Sequence, residues 1–447
     1  MIIIQKNDIP RSAIKAIKKI SGSRGPGIPD LSIVSDPRSS RGRRFPLSLL
    51  LETLFLGMLG SMRSLENLEA FCLCRGLKIS DSTFYVLLRK LKADSFSNIL
   101  YKQVKKLYRA KALDPMGLRC HVIAIDNKTL YFGPDKVSEL CQTVRDPHSK
   151  AKRFHFRSIG AMLTSNLLMP ILDRMAIPPE TNEMGIFPEF FKRLRKQYGK
   201  SLLERSILTL DSGFCSLENA NLIDKSGCIY IFSLKANQSS LYNELKRIFK
   251  DFDRKEPEVT TGWMPYKGKE IRYKFYRTTE ISGWVTDGGD WSHLRQGFLV
   301  ITEERRQVSK KKKGRRSKRL RPIWSEPKAV YIRYFISNML VNYLTSVEIL
   351  TVIRSHWGIE NNGHWVFNTI WKEKEAPWCR QNESLMILAI LRALAVNMLR
   401  WLKHRRLRSE AIRNMRWRQL LDFIKEVMGL SIKFPSPSPH ITMVYRL

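Results

Sequence analysis

Acidic residues are scarce in this chain: 41 Asp and Glu face 78 Lys and Arg, a formal net charge of +37 over 447 residues. A compact state with that surplus repels itself unless an anion neutralises it, so a polyanionic partner is expected. Cysteine is sparse too, at positions 72, 74, 120, 141, 215, 228 and 379, an odd number without a CxxC pair. A reducing compartment suits these cysteines better than a disulfide framework. The apolar run from Leu47 to Gly60 is interrupted by Glu52 and is too short to cross a bilayer. The N-terminus also lacks the apolar core and small-residue cleavage site of a signal peptide, so a soluble, intracellular protein without a membrane partner is expected. What is present is enough hydrophobic sequence, 43%, to build two or three cores. The basic residues are spread over the whole chain instead of lining one amphipathic helix, which favours nucleic acid over an anionic membrane surface.

Six segments follow from shifts in composition and period. Residues 1–46 are basic and rich in Ser, Gly and Pro, as an extended arm would be. Residues 47–118 form a helical domain, either a DNA reader or a dimerisation module. LSLLLETLFLGMLG, SLENLEAFCLC and DSTFYVLLRKLK read as three helices, the first broken near Gly57 and Gly60, the third opened by Asp81 or Ser82. In residues 119–240 the period changes to that of strands. HVIAIDNKTLYFG, FRSIGAMLTSN and LLMPILDRMAIP precede the helix NEMGIFPEFFKRLRKQYG, the strand SILTLDSGF, a helix that Ser216 could cap and the strand CIYIFSLKANQ.

Three strands, helix, strand, helix, strand is the order of a ribonuclease H-like α/β fold, with Asp126 and Asp211 at strand ends where open sheets place their sites. Residues 241–328 read as a β-rich basic insertion. Nine of the twelve residues from 310 to 321 are basic, and this run, with Lys310, Lys311, Lys312, Lys313, Arg315 and Arg316, suits contact with phosphates. Residues 329–405 resume the core: AVYIRYFISNML closes the sheet, and TSVEILTVIRSHWGIEN begins a long helix. Residues 406–447 are a loose basic tail.

The long helix carries HWGIENNGH, which puts His356, Glu360 and His364 four apart on one face beside Trp357 and Trp365. Three readings are open. The stripe could be a buried polar cluster, a zinc site, or the place where a last carboxylate joins others from upstream. The third gains from Asp126 and Asp211, which lie 234 and 149 residues before Glu360. Three clustered carboxylates repel unless divalent cations sit between them, and hard oxygen ligands suit two Mg²⁺ or Mn²⁺ ions.

The blocks DPRSSRGRRFP, AIDNKTL, TNEMG, LTLDSGF, YIFSLKANQ and HWGIENNGHW stand in the order found in DDE transposases of bacterial insertion sequences, and the chain most resembles the H-repeat-associated group. The resemblance implies that Asp126, Asp211 and Glu360 are a catalytic, metal-binding triad for cleavage and strand transfer. It also implies an α-helical N-terminal region, a β-rich insertion, a homodimer on paired ends of double-stranded DNA, no small-molecule substrate, and a place in the bacterial cytoplasm at the nucleoid. Departures are Asn127 for glycine, Asn368 for aspartate, His356 for arginine and Phe367 for lysine. Lys128, Lys235, Asn237, Gln238 and Arg354 are candidate phosphate contacts in their place, with His356 and His364 beside the triad. A domesticated DNA-binding protein that no longer cleaves, and a nuclease without strand transfer, are the alternatives.

Overall fold

The computed structural model describes residues 25–146, 149–286, 289–308, 323–374, 377–407 and 409–427. The basic run at 310–321 and the last twenty residues lie outside the described residues.

In chain order, four helices come first: α1 (Leu47–Leu59), α2 (Leu65–Leu73), α3 (Asp81–Lys90) and α4 (Ala93–Arg109). Strands β1 (Val122–Gly133), β2 (Gln142–Arg145), β3 (Lys152–Leu163) and β4 (Ile171–Ile177) follow, then α5 (Glu183–Tyr198), β5 (Ile207–Leu210), α6 (Leu217–Asp224), β6 (Ile229–Leu234) and α7 (Ser239–Ile248). Strands then dominate: β7 (Val259–Thr260), β8 (Met264–Tyr266), β9 (Lys269–Thr278), β10 (Trp284–Thr286), β11 (Gly289–Trp291), β12 (Gln296–Arg305), β13 (Gln307–Val308), β14 (Ile323–Trp324) and β15 (Lys328–Ser337). The last helices are α8 (Ser346–Ser355), α9 (Trp365–Trp371), α10 (Asn382–Trp401), α11 (Glu410–Asn414) and α12 (Trp417–Val427).

The chain divides into two compact units. The first takes residues up to 112, 129–157 and from 364 onward. Its centre is α10, whose side chains from Leu385 to Leu402 are almost all buried, and which packs on α4, α1 and α3. The stretch 383–406 is long and apolar enough by composition to cross a membrane, and its apolar window is wholly buried inside the fold. The expected three helices are α1 to α3; α4 is a fourth that the sequence reading omitted. Its apolar residues Phe96, Ile99, Leu100, Val104 and Leu107 are fully buried and stand at helical spacing with serines and lysines on the other face, so the period was there to be read. Helix α1 runs unbroken through Gly57, where a Cβ would meet Leu68 Cδ1 at 2.8 Å, so this glycine serves close packing of α1 on α2. The residue ahead of α3 is Ser80, not Asp81 or Ser82. Residues 25–46 are packed, not an extended arm: Arg38 is buried, with Nε and Nη2 donating to Asp36 at 2.9 and 2.8 Å and Nη2 also to the Phe45 carbonyl. The expected loose tail begins with two helices, α11 and α12.

The second unit, 113–128 and 158–363, holds a mixed sheet in the order β3-β1-β5-β6-β15-β12-β9-β7, with β4 paired to β3 and β8 to β9. β1, β5 and β6 are parallel; β15, β12 and β9 continue antiparallel. All four side chains of β5 are buried, as a parallel strand covered on both faces requires. Helix α5 survives Pro188 because the Met184 carbonyl, which the proline cannot serve, accepts from Asn219 Nδ2 of α6 at 3.3 Å. Ser216 caps α6 as expected, accepting from Asn219 N at 3.1 Å.

The fold departs from the sequence-based expectation at two further places. β15 does not close the sheet but lies inside it, between β6 and β12, so that β9 and β12 of the expected insertion extend the same sheet. Nor does one long helix carry Glu360. Thr345 and Glu348 form a capping box that starts α8, and Ile349, Leu350, Val352 and Ile353 bury against Val122, Ile207, Ile231, Phe298 and Phe335 of the sheet. α8 ends at Ser355, and residues Ile359–His364 form a wider π-turn. Two glycines and two asparagines in GIENNG are poor helix formers, which lets the ladder loosen there.

Candidate active site

The site is built on the register of two parallel strands. Ile125 of β1 pairs with Leu210 of β5, so the next residues, Asp126 and Asp211, emerge side by side. Asp126 is half-buried and its Oδ1 accepts from the Asn127 amide at 2.7 Å. Burial, followed by the charge of Asp211 and, more weakly, of Glu360 and Glu183, pushes the Asp126 carboxyl up to about 8 against the stabilising Asn127 bond. Glu360 is raised by burial and then by Asp211, and Arg333 opposes that rise. The three carboxylates thus act on one another, and the helical segment after α8 brings the third to Asp211, which follows β5, and to Asp126, which lies within β1 and not at its end as expected.

His356 closes the floor of this site. Its ring is buried and Nδ1 lies 3.0 Å from Thr209 Oγ1 in β5. Burial holds its pKa below the ordinary value against the attraction of Asp211. Of the two roles expected for His356, packing or DNA contact, the buried imidazole suits packing. His364 ends the π-turn and falls within the other unit.

The remaining candidates divide. Lys128 is buried, which removes it from any exposed surface. Asn237 Nδ2 donates to the Ser212 carbonyl at 2.9 Å and Gln238 Nε2 to the Cys215 carbonyl at 3.0 Å, so both amides hold the turn that begins at Asp211. Lys235 is exposed and lines a hollow of about 280 Å³ together with Thr209, Asp211, Arg333, His356 and Glu360. Arg354 is half-buried, with its guanidinium over Tyr273 at 4.5 Å, and lines a second hollow of about 660 Å³ that also reaches Glu360.

Glu183 is the residue that sequence reasoning passed over. It opens α5 in TNEMG, and an acidic first turn reads as a response to the helix dipole. In the fold its charge acts on Asp126, and a Cβ on Gly213 would lie 2.7 Å from its Oε1, so glycine at 213 lets the Asp211 turn approach it.

Among the described residues no three His, Cys, Asp or Glu side chains stand as a ready ligand set for one ion, and the zinc reading of His356, Glu360 and His364 finds no support. The donor chemistry nonetheless fits a hard divalent cation: burial and, after it, the neighbouring carboxylates disfavour charge on Asp126, and a bound cation offsets both by giving the carboxylates a positive partner.

The sequence is similar to known proteins over part of its length. It is 26% identical over 282 residues to YbfL and to the H repeat-associated protein YhhI, both of Escherichia coli (strain K12). Each alignment covers 62% of this chain and 64% of the relative, so the chain spans just under two thirds of the relatives it matches. A cryo-EM structure of the piggyBac transposase synaptic complex with hairpin DNA aligns with 98% of this chain and 86% of its own, at 12% identity and a TM-score of 0.41. The profile of the transposase DDE domain matches residues 121–398, a span that takes in Asp126, Asp211 and Glu360. The chain therefore belongs to the DDE transposase family.

Proposed function

We propose that this chain is a DNA transposase that cleaves the ends of its own insertion sequence and joins the freed 3′-hydroxyls to target DNA. One observation carries the reading: Asp126, Asp211 and Glu360, distant in sequence, lie close enough for their charges to perturb one another. In this reading the core at 119–240 and 329–405 is ribonuclease H-like, residues 47–118 are an α-helical domain that binds DNA or dimerises, residues 241–328 are the insertion, and a homodimer works on paired ends at the bacterial nucleoid.

Asp126, Asp211 and Glu360 would hold two Mg²⁺ or Mn²⁺ ions. Such ions, when bound, supply Lewis acidity to the attacking and leaving oxygens of an in-line displacement at phosphorus. The chain's own part is orientation. The β1–β5 register fixes the two aspartates, Asn237 and Gln238 hold the turn after Asp211, and the buried His356 ties α8 to Thr209 of β5. Asp126 must give up its proton when a cation is taken up, so loading is favoured by rising pH.

Changing any of Asp126, Asp211 or Glu360 to Ala should abolish Mg²⁺-dependent cleavage of end DNA while binding persists, since Lys and Arg contacts to phosphates supply the affinity. An Asp211→Ala protein that still cuts removes Asp211 from the site. A parent protein that binds but never cuts would favour the domesticated DNA-binding alternative, and one that cuts but never joins would favour a nuclease.

A further inference from the structure

We infer that Arg333 is the phosphate anchor of this site, an arginine supplied by strand β15 and not by the helix that leads to Glu360. The proposal rests on the transposase reading for the identity of its ligand, a backbone phosphate of the DNA strand being cut.

Arg333 lines both hollows that meet at Glu360. Its guanidinium lies over the Trp357 ring at 4.7 Å and the Tyr331 ring at 5.2 Å. Two ring contacts fix the plane of the fork while leaving its N–H edges free to donate, the arrangement that suits two-pronged recognition of a phosphate. Arginines nearby in the sheet are neutralised: Arg272 pairs with Glu303 at 2.6 Å and Arg305 with Glu270 at 2.7 Å. Arg333 has no carboxylate within ion-pair distance among the described residues, although its charge is felt by Glu360. On the helix side His356 is buried on Thr209, which leaves Arg354 as the cation there. Arg354 faces only the larger hollow, with Nη2 against Met264 Sδ at 3.8 Å. A cation that is half-buried, ring-clamped, without an acidic partner and shared by both approaches to Glu360 is built for an anion that arrives from outside.

The experiment compares the parent with Arg333→Gln and Arg333→Lys on a duplex carrying the terminal repeat that flanks the reading frame. Cleavage is followed in single turnover with Mg²⁺, and each phosphate around the cut is replaced in turn by an uncharged methylphosphonate. In the parent, one replacement beside the cut should slow cleavage about tenfold or more. Arg333→Gln should cut native DNA at least about thirtyfold more slowly and lose less than about twofold further at that same position. Arg333→Lys, which keeps charge but not the fork, should fall between. A role confined to folding would leave the methylphosphonate penalty intact. Thus Arg333→Gln cutting at the parental rate, or paying the full penalty at every interfering phosphate, overturns the anchor and leaves the transposase reading standing. A parent that does not cut overturns that reading instead, and the anchor is then decided by binding to a plain duplex. Loss of one phosphate contact should flatten the slope of log affinity against log salt by about 0.9, and an unchanged slope rejects it.

Discussion

Asp126 is a carboxyl of the proposed site whose surroundings disfavour its charge. Burial and the charges of Asp211, Glu360 and Glu183 raise it from an ordinary 3.8 to about 8. In the unfolded chain the group ionises near its ordinary value, so between that value and about 8 the folded state binds the extra proton. Without metal, this group therefore leaves stability untouched in acid, erodes it as pH rises above the ordinary carboxylate range, and adds no further loss above about 8. Asp126→Asn should flatten that decline, as read from urea unfolding at a series of pH values. Uptake of Mn²⁺ has the opposite sign: the metal-dependent rise in melting temperature should be larger at pH about 8 than at pH about 5.5, and Asp126→Asn should remove most of the difference. A parental shift independent of pH would argue that Asp126 does not ligate the ion.

At the scale of elements, the site depends on α8 being started, packed and stopped at fixed places. The Thr345–Glu348 capping box fixes its first turn, and four buried aliphatic residues fix its face. Thr345→Ala should cost about 1 kcal/mol of stability in denaturant unfolding, with cleavage falling no more than the folded fraction requires. The turn after Asp211 is held differently, by side-chain amides from the segment after β6. Asn237→Ala and Gln238→Ala each remove a bond to a carbonyl of that turn, and each should cost about 1 kcal/mol. Their effect on cleavage should exceed that of Thr345→Ala at equal stability, because the turn carries a carboxylate of the site. Equal rates in all three variants would show that the turn needs no such support.

The whole molecule is governed by its charge. In the proposed role on DNA, a surplus of +37 should make affinity steep in salt, and the run at 310–321 supplies nine of the positive charges. Replacing Lys310, Lys311, Lys312 and Lys313 by Gln should flatten the slope of log affinity against log salt by up to about 3 to 4, while sequence preference hardly changes. Binding with the parental salt dependence would assign DNA contact to another surface.

Much of this is legible in the sequence. Strands β1, β3, β4, β5 and β6 and helices α1 to α3, α5 and α6 follow from apolar period and turn residues, because burial on one face imposes that period locally. Asp126 and Asp211 were legible for the same reason, each standing at the end of a buried strand run. Glu183 was not, since an acid in a first helical turn has a sufficient local reason and its nearness to Asp126 comes from the packing of α5. Arg333 was hidden among 78 basic residues; only the insertion of β15 between β6 and β12 aims it at Glu360. The spacing of His356, Glu360 and His364 even misled, because helical periodicity was assumed where glycine and asparagine open the ladder into a π-turn. The sequence by itself determined the chain's charge, most of its local elements and the two aspartates that follow buried strand runs. Tertiary structure alone decided which of many carboxylates and arginines share a site, because that depends on strand order and register, interactions between residues too distant in the chain to leave a local pattern.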